Sequence, residues 1–186
     1  MILRKILIVS DTHGSLTSWQ RLKSLVGQVD EVYHLGDVLY HGPRNPIPDG
    51  YNPAELAREL RRENLFLVRG NCDADVDLML LGISEAPKVL LASFGQVNFV
   101  MSHGDFFQSE EQLFTFLEEH GAHVLLYAHT HVPRFDWIQS RLIINSGSPS
   151  LPKMGSEPTF VLMEINEVVK ISLISLTGKL LREALL

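Results

Sequence analysis

Residues 5–13 read KILIVSDTH, a short β-branched run that leads into a carboxylate and an imidazole. The run is apolar throughout, which is typical of a strand that is covered on both faces. Asp11 and His13 lie two residues apart, so an extended chain directs both side chains to the same side. Further along, the apolar run HVLLY continues into AHTH and ends in His129 and His131. Two strand-like runs that end in paired metal-ligand residue types predict a metal site at the edge of a sheet.

Helices alternate with strands in the first part of the chain. Apolar residues at helical spacing predict a helix over 15–26 that ends at Gly27. EVYHLGD, residues 31–37, predicts a second strand, and LFLVRGNCD, residues 65–73, predicts a third. An N-cap asparagine, a first-turn proline and a capping-box acid predict a helix over 52–64.

The pattern changes after residue 88. KVLLAS and QVNFVMSHG are strand-like runs joined by a short FG, which predicts a hairpin rather than a helical crossover. A capping-box pattern at Ser109 and Gln112 predicts a helix to about His120. RFDWIQ, RLIINSG, TFVLMEI and EVVKISLISL predict four later strands. A βαβαβ start followed by strand-rich sequence indicates an α/β fold of two packed sheets with helices on their outer faces.

Length, charge and cysteine usage limit the class of protein. A chain of 186 residues suits one compact domain, which we predict to span residues 1–186. The formal net charge is −6 and basic residues do not cluster, which disfavours an extended nucleic-acid surface. The single cysteine, Cys72, has no internal partner for a disulfide, which fits a reducing compartment. Because neither a membrane span nor a signal-peptide pattern is evident, the sequence predicts a cytoplasmic protein without a membrane partner.

Polar residues that bind metals follow five of the apolar runs. Taken singly, an Asp or Asn after a strand is most often a turn or cap residue. Five such positions together are a poor fit to that explanation, because α/β proteins bind ligands at the carboxyl ends of their strands. The seven candidate metal ligands are Asp11, His13, Asp37, Asn71, His103, His129 and His131. Imidazole and carboxylate ligands suit Mn, Fe, Zn or Ni better than Ca.

The motifs DTH, GD, GN, HG and AHTH resemble the blocks D-x-H, G-D, G-N, H-G and G-H-x-H of the calcineurin-like metallophosphoesterases, in the same order. More narrowly, GDVLYHGPRN and RGNCDADVD resemble the small bacterial phosphodiesterases of the YfcE type. The resemblance implies a four-layer α/β/β/α sandwich with two mixed sheets flanked by helices. Two positions depart from the wider family. Ala128 stands where most members have glycine, and Cys72 stands where larger relatives have the histidine that protonates the leaving group.

The resemblance also implies the cofactors and the reaction. It implies two divalent metal ions, Mn²⁺ first, with Zn²⁺, Ni²⁺, Fe²⁺ or Mg²⁺ as alternatives. The implied assignment is Asp11, His13 and His131 for the first ion, Asn71, His103 and His129 for the second, and Asp37 as the bridge. Two dications with two carboxylates leave a positive site that attracts an anionic phosphoester, and a hydroxide that bridges the ions would be the nucleophile. We therefore interpret the chain as a metal-dependent phosphodiesterase that acts on a small phosphodiester.

Proline and glycine in the stretch 38–51 predict a long loop, and long ordered loops tend to be functional. Within this loop, His41 and Arg44 are candidates to reach a substrate phosphate or a leaving group. The alternative interpretation is that both are ordinary solvated side chains of an exposed loop. Together with the bridging Asp37, they form the set of candidate catalytic residues.

Other polar residues near the motifs have competing structural interpretations. Cys72 is either a weak acid near the metals or a small buried filler. Asp73 and Asp75 either orient ligands or cap turns. Asn145 lies in the segment NSGS after a predicted strand and is a candidate neighbour of the site. His34 is expected to have a structural or solvated role.

Two other functions stay open at the level of the sequence. A phosphomonoesterase that acts on a nucleotide or protein phosphate would use the same ligands. A non-catalytic scaffold that kept the fold, like the retromer subunit related to this family, would not need all seven. The resemblance also mildly favours a homo-oligomer.

Overall fold

The computed structural model describes residues 4–186. Within these residues the strands are β1 (Arg4–Val9), β2 (Glu31–His34), β3 (Leu65–Leu67), β4 (Val89–Phe94), β5 (Val97–Ser102), β6 (Val124–Tyr127), β7 (Arg134–Ile138), β8 (Arg141–Asn145), β9 (Thr159–Ile165), β10 (Val169–Ser175) and β11 (Leu180–Leu185). The helices are α1 (Leu16–Val26), α2 (Pro53–Leu60), α3 (Asp75–Leu81) and α4 (Glu110–Glu119). As far as the described residues extend, none of these helices combines the length and apolar composition that a membrane span needs.

The strands form two mixed sheets. The first sheet has the order β11-β10-β9-β1-β2-β3, in which β1, β2 and β3 run parallel. The second has the order β4-β5-β6-β8-β7, in which β5, β6 and β8 run parallel. Parallel strands end at the same edge of their sheet. Each sheet therefore gathers three carboxyl strand ends at one edge, where ligand sites of α/β proteins form.

Alternate residues of β1 point into two different layers of the core. Ile6 and Ile8 are buried between the two sheets. Leu7 and Val9 are buried on the opposite face, against helices α1, α2 and α3. Helix α4 covers the outer face of the second sheet, where its Leu117 is fully buried. The layers follow the order α/β/β/α, which confirms the predicted fold class.

Two local predictions, a helix and a hairpin, are confirmed. The helix predicted over 15–26 is α1, which begins where Ser15 Oγ accepts a backbone N–H of the first turn at 3.2 Å. It ends at Gly27, which adopts φ +68°. The predicted hairpin consists of β4 and β5. Its turn lies one residue later than the predicted FG, at Gly95 and Gln96, because Phe94 belongs to β4 and pairs with Val97. In both cases neighbouring residues in the sequence decide the structure.

The second predicted helix is shorter than expected. Helix α2 ends at Leu60 rather than near Asn64. The amide of Arg62 bonds to the carbonyl three residues before it, at 3.1 Å, so a tighter turn replaces the last α-helical turn. The acid predicted for the capping box, Glu55, instead pairs with Arg58 at 2.7 Å.

Helix α3 and strand β11 have no counterpart in the sequence-based prediction. Helix α3 has seven residues, too few to show a clear helical period, and it forms by burying Leu78 and Leu81. Strand β11 lies at a sheet edge and buries only Ala184, so its sequence lacks a clear alternation. Both elements depend on their tertiary neighbours. The single domain predicted over residues 1–186 stays a prediction.

Candidate metal centre

The candidate ligands follow strands whose carboxyl ends meet. Asp11 and His13 follow β1, Asp37 follows β2, Asn71 follows β3, His103 follows β5, and His129 and His131 follow β6. Backbone hydrogen bonds of 3.0 Å join the first two loops, from Asp11 N to Gly36 O and from His13 N to Asp37 O. A bond of 3.1 Å from Ala128 N to His103 O joins the loops of the second sheet. The structure brings all seven predicted ligands into one group, which we call the ligand cluster.

Backbone strain is concentrated in the ligand cluster. Five of its members have φ between +45° and +70°, namely Asp11, His13, Asp37, His129 and His131. Residues with a Cβ rarely adopt this left-handed conformation, and each instance costs about 1–3 kcal/mol unless the surroundings enforce it. Strain of this kind is typical of functional sites, where it directs side chains to one point.

The glycines of the GD and GN motifs, Gly36 and Gly70, lie where the structure has no space for a Cβ atom. Gly36 has φ +100°, and a Cβ at this position would lie 2.5 Å from Gly70 N. A Cβ on Gly70 would lie 2.2 Å from Asp37 Oδ1. Neither position has space for a side chain. The loops after β2 and β3 therefore approach backbone to backbone, which places Asp37 next to the loop of Asn71.

Asp11, His13 and His131 present one atom each to a common point. Asp11 Oδ1 lies 3.3 Å from His131 Nε2 and 3.7 Å from His13 Nε2. The two Nε2 atoms are 3.2 Å apart. Atoms that bind one ion at about 2.0–2.2 Å lie roughly 3.0–3.6 Å from one another. Two of the three distances lie in this range and the third lies just above it, so the group is close to the geometry that one metal ion requires.

The second group contains Asn71, His103 and His129. His103 Nε2 lies 3.1 Å from Asn71 Oδ1 and 3.3 Å from His129 Nδ1. The carboxylate of Asp37 connects the two groups, because its Oδ2 lies 3.5 Å from His103 Nε2 and 3.8 Å from His13 Nε2. One carboxylate oxygen between two sets of imidazoles has the position that a bridging ligand requires.

An unsatisfied buried atom provides a test of whether a metal fits. Asp11 Oδ1 is buried and has no hydrogen-bond partner among residues 4–186. The other oxygen, Oδ2, accepts hydrogen bonds from Ser10 Oγ at 2.8 Å and from His129 N at 3.2 Å. A buried carboxylate oxygen without a partner is costly, and a cation removes that cost. The donor set of this site therefore fits a divalent metal.

Backbone carbonyls orient three of the imidazoles. The bonds from Nδ1 are His13 to Tyr40 O at 2.7 Å, His103 to Leu35 O at 2.8 Å, and His131 to Leu151 O at 2.7 Å. A carbonyl oxygen only accepts, so the proton is on Nδ1 and Nε2 is the ring atom that faces the cluster. Partners of this kind position histidines that bind metals.

Charges within the cluster shift its protonation in the absence of metal. Burial opposes the charge on Asp37, but the hydrogen bond and charge of His103 hold the pKa of this carboxyl well below its usual value. Burial likewise opposes the charge on His103, yet Asp37 and Asp11 raise the pKa of His103 to about 9. Burial lowers the pKa of His13 and of His129. The metal-free cluster thus retains an ion pair between His103 and Asp37 near neutral pH.

Asp73 supports the ligand loops. Its carboxylate accepts backbone hydrogen bonds from Asp37 N at 2.9 Å, Val38 N at 2.8 Å and Gly70 N at 2.7 Å. The amides of Asp37 and Gly70 belong to the GD and GN motifs, and the amide of Val38 directly follows the GD motif. Of the two interpretations of Asp73, the structure supports the one in which it orients a ligand. Asp75 is different, because it pairs with Arg69 at 2.7 Å on the surface.

Asn145 and His34 hold the backbone near the cluster without entering it. Asn145 Nδ2 donates to Ala128 O at 2.8 Å, directly before His129. His34 Nε2 bonds to Thr12 Oγ1 at 2.9 Å, and burial lowers the pKa of this imidazole to about 3. His34 is therefore neutral and structural, as the sequence predicted.

A cavity of about 760 Å³ opens onto the cluster. Arg44 and Lys153 line it together with several metal-ligand candidates, and both side chains are exposed. We call these two residues the cavity rim. His41, also predicted from the loop, is not among the lining residues, and its ring packs edge-on against Tyr40 and Tyr51. Lys153 was not predicted, because nothing in its local sequence indicates that it returns to the site.

Cys72 also lines the cavity. Its amide donates to Asp37 Oδ1 at 2.8 Å, and Asn71 Nδ2 lies 3.2 Å from its sulfur. Burial and the neighbouring carboxylates raise the pKa of the Cys72 thiol to about 12. In the metal-free protein a thiol with such a pKa stays protonated at neutral pH and is not a ready nucleophile.

Comparisons with known proteins agree with this geometry. A family model described as the calcineurin-like phosphoesterase superfamily domain matches residues 5–168. Phosphodiesterase YfcE of Escherichia coli K12 is 34% identical over 171 residues, which cover 90% of each chain. The structure of E. coli YfcE, described as a phosphoesterase, superposes with a TM-score of 0.82 at 32% identity and covers 97% of this chain and 98% of that one. Vps29 of Chaetomium thermophilum superposes with a TM-score of 0.70 at 19% identity, covering 98% and 96%, and this likeness shows the fold alone.

Proposed function

The chain belongs to the calcineurin-like phosphoesterase superfamily, and from this premise we propose that it is a metal-dependent phosphodiesterase of small substrates. Its cofactors would be two divalent ions, with Mn²⁺ expected and Zn²⁺, Ni²⁺, Fe²⁺ or Mg²⁺ as alternatives. When bound, the ions would supply a water of lowered pKa and would stabilise the charge that develops on the phosphate oxygens.

The ligand assignment follows the two groups of the cluster. The proposed ligands are Asp11, His13 and His131 for one ion, Asn71, His103 and His129 for the other, and Asp37 for both. The observation that carries the proposal is the position of Asp37 Oδ2, 3.8 Å from His13 Nε2 and 3.5 Å from His103 Nε2. A single oxygen shared in this way supports a centre for two ions rather than one.

The protein side chains would orient the substrate rather than attack it. We propose that Arg44, as a cavity-lining cation, contacts a substrate phosphate. His41 keeps its proposed role only if its ring leaves the packing against Tyr40 and Tyr51. Cys72 stands where larger relatives have a histidine, and in the metal-free protein burial raises the pKa of its thiol to about 12. We therefore propose that solvent protonates the leaving group, which favours substrates with good leaving groups.

The preference for a diester has two supports. The relative at 34% identity is named a phosphodiesterase, and Cys72 replaces the acid that a poor leaving group would need. A phosphomonoesterase remains the alternative within enzymes. The scaffold alternative has weaker support, because all seven proposed ligands converge and Asp11 Oδ1 has no hydrogen-bond partner among residues 4–186.

The test compares bis-p-nitrophenyl phosphate with p-nitrophenyl phosphate on chelated protein, before and after addition of Mn²⁺. We expect Mn²⁺-dependent turnover of the diester and little turnover of the monoester. Faster turnover of the monoester would favour the phosphomonoesterase. Folded protein that binds metal but turns over neither ester with Mn²⁺, Zn²⁺, Ni²⁺ or Mg²⁺ would contradict the proposal.

The cytoplasmic location and the homo-oligomer stay predictions from the sequence, as does the absence of an extended nucleic-acid surface.

A further inference from the structure

Arg44 and Lys153 come from distant parts of the chain and line the same cavity. Arg44 lies in the loop after β2, and Lys153 lies in the segment between β8 and β9. Within residues 4–186, half of the other exposed lysines and arginines form ion pairs, such as Lys179 with Glu157 at 3.5 Å. Within residues 4–186, neither rim cation makes an ion pair.

The backbone ties both rim segments to metal-ligand candidates. The loop that carries Arg44 orients His13, whose Nδ1 bonds to Tyr40 O at 2.7 Å. The segment that carries Lys153 makes two bonds with His131. One bond is 2.7 Å long and joins the ring Nδ1 to a carbonyl of the segment, and the other is 3.2 Å long and joins Lys153 N to His131 O. The backbone of Lys153 is thus bonded directly to His131, and the loop of Arg44 is bonded to the cluster at Tyr40, although both side chains are exposed.

The charges of the cavity exceed what a simple diester requires. Asp37 is the one acidic residue among the described residues that line the cavity, and it is already engaged with His103 and with the amide of Cys72. In the proposed reaction, the metal centre binds the scissile diester, which carries one negative charge. Arg44, which is proposed to contact a substrate phosphate, and Lys153 add two positive charges to the cavity, more than the single charge of the diester balances.

We propose that Lys153 and Arg44 form a second anion-binding subsite, and that the substrate is a small phosphodiester with an additional phosphate group. This inference rests on the proposed function and deepens it. A phosphate monoester carries about −1.5 to −2 charges at pH 7, which matches two cations. The cavity of about 760 Å³ lies within the usual range of small-molecule sites and has room for both groups.

The test uses two probes that differ only in the second phosphate. They are the p-nitrophenyl ester of thymidine 5′-phosphate and the same ester with a 3′-phosphate, both with Mn²⁺-loaded protein. The measured quantity is the ratio of kcat/KM for the two probes. We expect the wild type to favour the 3′-phosphorylated probe, and Lys153→Ala to lower the ratio about three- to tenfold. Lys153→Arg should restore most of it.

Matched controls remove the same charges elsewhere. Lys179→Ala and Arg62→Ala act on cations outside the cavity lining, so the ratio should stay at the wild-type value. An equal loss of kcat/KM on both probes in Lys153→Ala would leave the ratio unchanged and would overturn the inference. A wild-type ratio near one would overturn it as well.

Binding separates this inference from the proposed function. Calorimetry compares thymidine 3′,5′-bisphosphate with thymidine 5′-phosphate and requires no turnover. Tighter binding of the bisphosphate that is lost in Lys153→Ala supports the subsite even if neither ester is hydrolysed. Equal affinities for both nucleotides would overturn the subsite even if hydrolysis proceeds.

Discussion

The ligand cluster and the cavity rim belong to one site, but the fold holds them in different ways. Members of the cluster such as Asp11 and His13 are fully buried, and their free atoms are directed by backbone bonds and by left-handed φ values. Arg44 and Lys153 are exposed, and only their backbone is attached to the cluster. Under the proposals above, metal binding would depend on buried strand ends, whereas substrate choice would depend on exposed loops, which vary at little cost in stability.

The largest effect should come from removing the shared carboxylate of the cluster. We expect Asp37→Ala to abolish diester turnover and to lower the metal content below two ions per chain, because both proposed ions lose a ligand. Metal analysis together with turnover of bis-p-nitrophenyl phosphate measures this. The rim variant Arg44→Ala is the matched control and should keep both ions. Two ions per chain with intact turnover in Asp37→Ala would break the distinction between cluster and rim.

A smaller effect should come from the support beneath the cluster. In Asp73→Asn, an NH2 group replaces one of the two carboxylate oxygens. One oxygen now accepts from Val38 N, and the other accepts from Asp37 N and Gly70 N, so either replacement removes an acceptor from at least one backbone amide. We expect Mn²⁺ affinity to fall about 10–100-fold. The free energy of unfolding of the chelated protein should fall by about 1–3 kcal/mol.

Calorimetric metal titration and urea unfolding measure these two quantities. Asp75→Asn is the matched control, since Asp75 accepts from the side chain of Arg69 at the surface. Equal affinities in the two variants would show that the three amide bonds do not position the ligands.

The smallest effect should be a dependence of stability on pH that reverses with metal. In chelated protein the folded-state pKa of His103 is raised from 6.5 to about 9. Its contribution to stability is then fully present below pH 6.5 and is lost as the pH rises towards 9. Metal requires neutral imidazoles, so the metal-loaded protein should instead gain stability over the same interval.

Thermal unfolding between pH 6.5 and 9, with and without Mn²⁺, measures the two slopes. Each kcal/mol lost should lower Tm by about 2–4 °C. His103→Gln should remove the decline from the chelated protein, whereas Lys153→Ala at the rim should keep it. Parallel slopes with and without metal would contradict the ion pair between His103 and Asp37.

Local patterns predicted most of the elements and the residue types of the site. Ser15 and Gly27 marked both ends of α1, and strand-like runs located β1, β2, β5 and β6. Helix α3 and strand β11 were missed because they are short or lie at an edge, and their partners in the sheet or core stabilise them. The end of α2 was placed too late, at Asn64 instead of Leu60.

The sequence by itself determined which ligand types this protein carries, and in which order, because a motif such as DTH or AHTH is a local property of a strand and the residues after it. Only the tertiary structure decided which atoms share a point. Asp11 and His129 are 118 positions apart, yet a bond of 3.2 Å joins them, since two separate sheets place their strand ends at one edge. The same holds for Lys153, whose place on the cavity depends on a bond to His131. Distances between residues that are remote in sequence result from packing, and no short motif encodes them.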